Sequence, residues 1–269
     1  MKRTFYFYFR LVSIQIRSQM QYRVSFLLEL VAAAITNGAY FVALALVLER
    51  FNTISGWTLG EVAFLAGLVE MSFATMDMLF GGFDPDAFSP LVHLGTFDQL
   101  LLRPLDITMQ VFGSKFLLRR TGRIFEGCAI FILGLVLTNI HWTPVKLLYL
   151  PFVFVSQVIA FGSLFIMGST LVFWTIQPVE AVNIVTYGGN EMMTYPMNIY
   201  PKWMQRFFTY IIPFIFLNYY PALFFLDKPD PLHFPAFAPF AAPLAAVALM
   251  LVSLRLWRVG INHYQGAGS

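Results

Sequence analysis

Apolar residues in this chain come in long unbroken stretches, unlike the alternation of a strand or the one-sided stripe of a soluble helix. A helix that crosses a bilayer needs about 20 mostly apolar residues, so charge-free windows mark the spans. Leu30 to Leu48 is the first, with a start nearer Val24 that takes in Glu29. Trp57 to Phe80 is the second and contains Glu61, Glu70 and Asp77. Gly127 to Val145 holds a third, Leu147 to Val179 a fourth, and Ala236 to Leu254 the last. Between the last two, Pro178 to Leu226 is ambiguous. Hydropathy alone selects Phe207 to Leu226 as a span and leaves Glu180, Asn183, Asn190 and Glu191 outside the bilayer. Pro201, Pro213 and Pro221 argue instead for broken helices in that stretch, which are tolerated where protein buries them.

The pattern changes at two places. In Phe5 to Arg23, Arg10, Ser13, Arg17 and Gln21 form one helical stripe and Phe9, Val12, Ile16 and Met20 another. This reads as an amphipathic helix along a membrane surface, although Gln15 and Gln19 blur it. The plain alternative is a basic terminus that only sets topology. The second place is the connection 81–123, long enough to be expected to fold or function. Gly81, Gly82, Asp84, Pro85 and Asp86 open it with turn chemistry. In Gly95-Thr96-Phe97-Asp98-Gln99-Leu100-Leu101-Leu102-Arg103-Pro104-Leu105, Gly95 interrupts one helix, Thr96 can cap the next and Pro104 ends it. A short helix between breakers, carrying Asp98 and Arg103, suits either a docking surface or an ordinary exposed helix.

Composition agrees with the bilayer. Of 269 residues 58% are hydrophobic and 12% charged, with a mean hydropathy of +0.70, against about 25% charged in soluble domains. Lys and Arg orient the chain: with both termini cytoplasmic, twelve of the 17 fall inside and five outside. Both ends inside require an even number of spans. No basic run interleaved with aromatics suggests nucleic-acid binding. The single Cys128 leaves no internal disulfide, and the first 23 residues lack the pattern of a cleavable signal peptide.

The candidate chemistry is sparse. No Gly-x-x-x-x-Gly-Lys-Ser/Thr loop is present, so ATP would have to be hydrolysed elsewhere. His93, His141, His233 and His263 are scattered without metal-ligand spacing. Gly162-Ser163 and Gly168-Ser169 lack the flanks of a nucleophile elbow and read as helix-packing residues. No catalytic residue is expected. Glu70 and Asp77 are seven residues apart, two turns on one helical face. Unpaired acids in lipid cost about 2.5–3.5 kcal/mol each on the insertion scale, so both should face the protein interior or water. Glu70, Glu180, Asn183 and Asn190 are the candidates for a substrate path. The competing reading is that Glu70 simply pairs with a neighbour and Asp77 lies at the cytoplasmic edge.

Gly95-Thr96-x-Asp98, the leucines after it and Arg103-Pro104-Leu105 resemble the first cytoplasmic loop of type-2 ABC transporter permeases. Tyr195-Pro196-x-x-Ile199-Tyr200-Pro201-x-Trp203, with Ile212-Pro213 and Asn218-Tyr219-Tyr220-Pro221, resembles the segment before the last span in a six-helix subgroup of them. The tail Tyr264-Gln265-Gly266-Ala267-Gly268-Ser269 is also similar. The resemblance implies an all-α integral membrane protein of six transmembrane helices with an N-terminal interfacial helix and re-entrant helices before the last span. Its parts would be a cytoplasmic amphipathic helix at 1–23, a transmembrane domain at 24–258 including the docking loop 81–123, and a tail at 259–269.

By position, Gly95, Thr96, Asp98, Arg103 and Pro104 would dock a cytoplasmic ATPase, present in two copies and carrying the ATP and Mg that this chain does not bind. Tyr195, Pro196, Pro201, Trp203, Pro213 and Pro221 would shape the re-entrant segment, with 178–197 as the fifth span. A second, different permease subunit and membrane lipid are the other expected partners. The location would be a bacterial-type inner membrane, and the activity ATP-driven export by alternating access. The alternatives are a stand-alone ion-coupled carrier using Glu70 and, more remotely, a membrane-embedded lipid enzyme.

Overall fold

The structure is a computed structural model that describes residues 2–22, isolated positions between 24 and 46, 53–175 and 180–264. The first predicted span and the tail beyond Tyr264 therefore lie largely outside the described residues. Apart from one isolated bridge between Ile54 and Trp57, every regular element among the described residues is helical.

Helix α1 (Lys2–Gln19) carries the predicted polar stripe: Arg10, Ser13, Arg17 and Gln21 are exposed, while Val12 and Ile16 are half-buried. The two glutamines that blur the stripe have a separate job. Gln15 donates to the Ser114 carbonyl at 3.0 Å, and Gln19 donates to the Phe116 carbonyl and accepts from Leu118 N at 3.0 Å. They fasten α1 to the end of the long connection.

Helix α2 (Leu59–Phe80) begins with a capping box, in which Thr58 and Glu61 satisfy each other's backbone N–H. Glu61 is therefore an end residue of the span. After the short connection Gly81–Phe83 come α3 (Pro85–His93), α4 (Phe97–Leu101) and α5 (Ile107–Ser114). Helix α6 (Thr121–Leu137) starts six residues before the charge-free window at Gly127 and so contains Arg123 and Glu126. It lies antiparallel to α2 at a separation that four glycines permit. A Cβ on Gly67 would sit 2.3 Å from Phe131 N, and one on Gly127 2.5 Å from Met71 N. Gly60 against Leu137 and Gly134 against Phe64 continue the ladder, so each helix contributes two glycines seven residues apart. Small residues at this spacing let two apolar helices gain dispersion contact where no hydrophobic drive separates lipid from protein.

Helix α7 (Pro144–Thr175) crosses α2 beside this pair, and the long last helix α12 (Ala242–His263) packs along it. The latter runs past the predicted boundary at 258. The small residues read as packing sites do pack: Gly162 faces Phe80, Gly168 faces Val182 and Pro85, and Ser169 donates to the Phe83 carbonyl. Between these long helices lie α8 (Glu180–Met193), α9 (Lys202–Tyr210), α10 (Phe214–Leu217) and α11 (Tyr219–Phe225).

Among the described residues three helical segments are long and apolar enough to cross a bilayer, and a fourth counts if α9 and the α10–α11 stretch, bent by 75°, form one unit. Two anchors locate the bent stretch. Asn198 donates to the Ser55 carbonyl at 3.2 Å, and Lys228 donates to Gly56 O at 2.9 Å and pairs with Glu61 at 2.7 Å. Residues 199–227 thus leave from and return to the same end of α2.

Candidate functional site

The tip of the long connection is rigid underneath and apolar on top. Gly95 takes a φ of 69° and its N–H reaches the Val92 carbonyl, closing α3 with the left-handed turn that glycine supplies most readily. The expected Thr96 cap is not formed. Its hydroxyl turns back to the Leu91 carbonyl at 3.2 Å and seals the end of α3 instead of the start of α4. Helix α4 stops at Leu101, ahead of Pro104, as the steric restriction on the residue before proline requires.

Phe97 is fully buried against the rings of Phe88, Phe173 and Tyr264. Phe83, Phe88 and Phe173 in turn contact Trp257, whose indole N–H donates to Thr108. One aromatic core therefore joins the tip to α7 and α12. Gln110 straps the tip from below, donating to the carbonyls of Leu100 and Leu105 at 3.0 and 3.1 Å. Exposed on the tip are Leu94 (70% exposed), Leu101, Leu102 (86% exposed), Arg103 and Pro104, with polar His93 and Gln99 beside them and Asp98 half-buried.

The second cluster lies where α2, α6 and α8 meet. Asp77 is wholly buried, and Arg120 Nε stands 2.6 Å from its Oδ2, off the line of a hydrogen bond, so charge rather than directed bonding holds the pair. One turn further along, Arg123 binds Glu70 Oε2 at 2.9 Å while Asn190 donates to Glu70 Oε1 at 2.9 Å. The two acids predicted on one face of α2 thus meet two arginines three residues apart at the start of α6. Arg123, counted in the sequence as a loop charge, lies inside α6 where that helix packs against α2. Of the substrate-path candidates, Glu70 and Asn190 come together. Among the described residues Glu180 and Asn183 pair with each other, at 3.4 Å across one turn of α8, and not with Glu70. An open cleft of about 540 Å³ borders the cluster, lined by Arg120, Arg123, Tyr187, Gly188, Asn190 and Glu191 with Ala32 and Thr36.

The third feature is the bent stretch at the far end. Tyr195 is half-buried and Pro196 buried ahead of it, and the Tyr200 hydroxyl donates to the Met192 carbonyl. Pro201 starts α9, on which Trp203 is 68% exposed. Pro213 precedes α10 and Pro221 lies in the first turn of α11, where no intrahelical N–H is needed. Buried Gln157 of α7 satisfies the break, donating to Leu217 O at 3.0 Å and to Asn218 Oδ1 at 3.1 Å. Asn218 itself donates to the Met193 carbonyl at 2.7 Å. Lys146, also buried, reaches Phe225 O and Asp227 at 3.0 and 2.7 Å. Sequence reasoning missed Gln157 and Lys146, although a Gln inside an otherwise apolar span and a Lys at its edge are the signals that could have pointed to them.

Among the described residues no group of three or more His, Cys, Asp or Glu side chains is placed to hold a metal ion. All-helical architecture, bilayer-length apolar helices and internally paired acids define an integral membrane protein. Residues 34–268 match the family described as ABC-2 family transporter protein. The chain belongs to that family, and is a type-2 ABC permease, a membrane subunit of a transporter. Permeases of this family normally work with an ATPase partner. No curated protein and no solved structure matches the chain.

Proposed function

We propose that this chain is the membrane-spanning subunit of an ATP-driven exporter whose ATPase docks on the tip at Gly95, Thr96, Asp98, Arg103 and Pro104. The observation that carries the reading is the tip itself. Large apolar side chains stand exposed on a support braced by Phe97 and Gln110, which fits a surface covered by another protein. The aromatic core under it gives a physical route for coupling: a push on the tip moves Phe97, and with it Phe173 of α7 and Trp257 of α12. ATP and Mg would act in the ATPase, of which two copies would serve a pair of permeases, the second permease differing from this one.

Six spans follow if the segment at 24–48, α2, α6, α7, the α8 region and α12 each cross once. The common anchorage of Asn198 and Lys228 at one end of α2 supports a re-entrant stretch at 199–227. It also supports 178–197 as the fifth span. Both termini would then lie on the cytoplasmic side of a bacterial-type inner membrane. The division into an interfacial helix at 1–23, a transmembrane domain at 24–258 and a short tail belongs to the same reading. The substrate would pass the cleft beside Glu70 and Asn190 as the permease pair alternates between inward- and outward-open states. Glu70 has both oxygens engaged, which weighs against a carrier that works alone by protonating it.

The test is co-purification of the tagged, solubilised chain with its partners, followed by an ATPase assay. An ATPase and a second permease are expected with the wild type, and loss of the ATPase with Asp98→Lys and Arg103→Glu. A chain that purifies without ATPase activity from its native membrane would overturn the reading.

A further inference from the structure

At the end of the molecule away from the docking tip, α9 presents an exposed stripe at helical spacing. Lys202, Trp203, Arg206 and Tyr210 point outward, Trp203 at 68% and Tyr210 at 76% exposure. Lys146 and Lys228 at the same end are both paired with acids. Among the described residues Lys202 and Arg206 have no acidic partner. The stripe ends at Ile211, Ile212 and Pro213, and these residues form one wall of a cleft of about 630 Å³ whose lining side chains are all apolar. The other walls come from Leu164 and Met167 of α7 and from one face of α12. The cleft follows that face from Ala241 to Val252, about 16 Å at 1.5 Å per residue. That is the depth of one leaflet of a ~30 Å hydrocarbon core.

We propose that this stripe and cleft form a binding site for one anionic phospholipid, its phosphate held by Lys202 and Arg206 and one acyl chain lying in the cleft. Three features converge on that occupant. The unpaired cations complement a phosphate. Trp203 and Tyr210 are the amphipathic aromatics that settle at headgroup level. The cleft presents no polar side chain and so suits hydrocarbon, and its length matches a single leaflet. A lipid here would brace the outer wall of the bent stretch, at the break where the helix changes direction by 75°. The inference requires only that the chain crosses a bilayer and does not depend on the direction or energy source of transport.

The test is native mass spectrometry of the full chain in mild detergent, with phosphatidylglycerol or phosphatidylcholine added at equal concentration. Wild type is expected to retain one phosphatidylglycerol in preference to phosphatidylcholine. Lys202→Gln and Arg206→Gln should each weaken that preference about fivefold, the factor that a cation near an anionic surface contributes. Arg258→Gln, an exposed cation at the opposite end of α12, should leave it unchanged. Ala245→Phe, which fills the cleft, should reduce retention of both lipids. Equal retention of the two lipids by wild type, or an unchanged preference in the Lys202→Gln, Arg206→Gln double variant, would overturn the proposal. So would efficient disulfide formation between two copies carrying Leu244→Cys in the membrane, because the cleft would then be covered by protein.

Discussion

The two ends of this permease solve opposite problems with different residues. At the end proposed for docking the large exposed apolar side chains are Leu94, Leu101 and Leu102, carried on a fold whose own aromatic core is complete beneath them. At the far end the exposed side chains are Trp203, Tyr210 and two cations, while Lys146, Lys228, Glu61 and Asp227 are tied up in ion pairs. Bare leucines on a braced support suit a protein partner. Amphipathic aromatics with basic neighbours suit a lipid headgroup layer. The contrast teaches that exposure alone does not distinguish a docking surface from a membrane-facing one; the chemistry of what is exposed does.

Between the two ends lies the α2–α6 pair, and breaking it should have the largest effect on stability. Asp77→Ala leaves Arg120 without its buried partner and should destabilise the chain by about 3–5 kcal/mol, seen as a lower melting temperature in detergent. The double variant Asp77→Ala with Arg120→Met should recover much of that loss, because no buried charge is then left unpaired. An equal loss in single and double variants would show that the pair is not what holds the helices. Phe97→Ala should cost a similar ~3–5 kcal/mol, the usual range for emptying an aromatic core position. Unlike the Asp77 change, it should also release the ATPase, because the tip loses its support.

Smaller effects sharpen the contrast between the ends. Gln157→Leu removes the donor that serves Leu217 and Asn218, and should cost about 1–3 kcal/mol while leaving ATPase binding intact. Lys228→Gln gives up a partly exposed ion pair with Glu61, worth about 1 kcal/mol or less. Leu102→Ser should change stability by no more than about 0.5 kcal/mol, as exposed substitutions do, and yet weaken ATPase binding. A drop in ATPase retention with Gln157→Leu but not with Leu102→Ser would reverse the assignment of the two ends.

Much of this arrangement was legible in the sequence, for identifiable reasons. Charge-free runs located α7 and α12, and a mainly apolar run located α2, because a bilayer imposes length and polarity. The polar stripe of α1 was visible at helical spacing. The start of α6 was not, because Arg123 looks like a loop charge until Glu70, 53 residues earlier, is seen to neutralise it at 2.9 Å. The glycine ladder of α2 and α6 escaped notice since neither helix shows a polar–apolar contrast to mark its inner face. The seven-residue spacing of Gly60 with Gly67 and of Gly127 with Gly134 was nonetheless there to be read. Thr96 illustrates local ambiguity: a threonine between two helices can cap the second or close the first, and here it closes the first. Glu180 and Asn183 share a helix face with Asn190 yet do not reach Glu70, which composition and spacing cannot reveal.

The most direct test of the assignment of the two ends is photo-cross-linking in intact cells, with a photoreactive side chain placed at Leu102 in one experiment and at Trp203 in another. The account predicts a protein adduct that contains the ATPase from position 102 and no such adduct from position 203. An ATPase adduct from position 203, or none from position 102 in a chain that still transports, would contradict it.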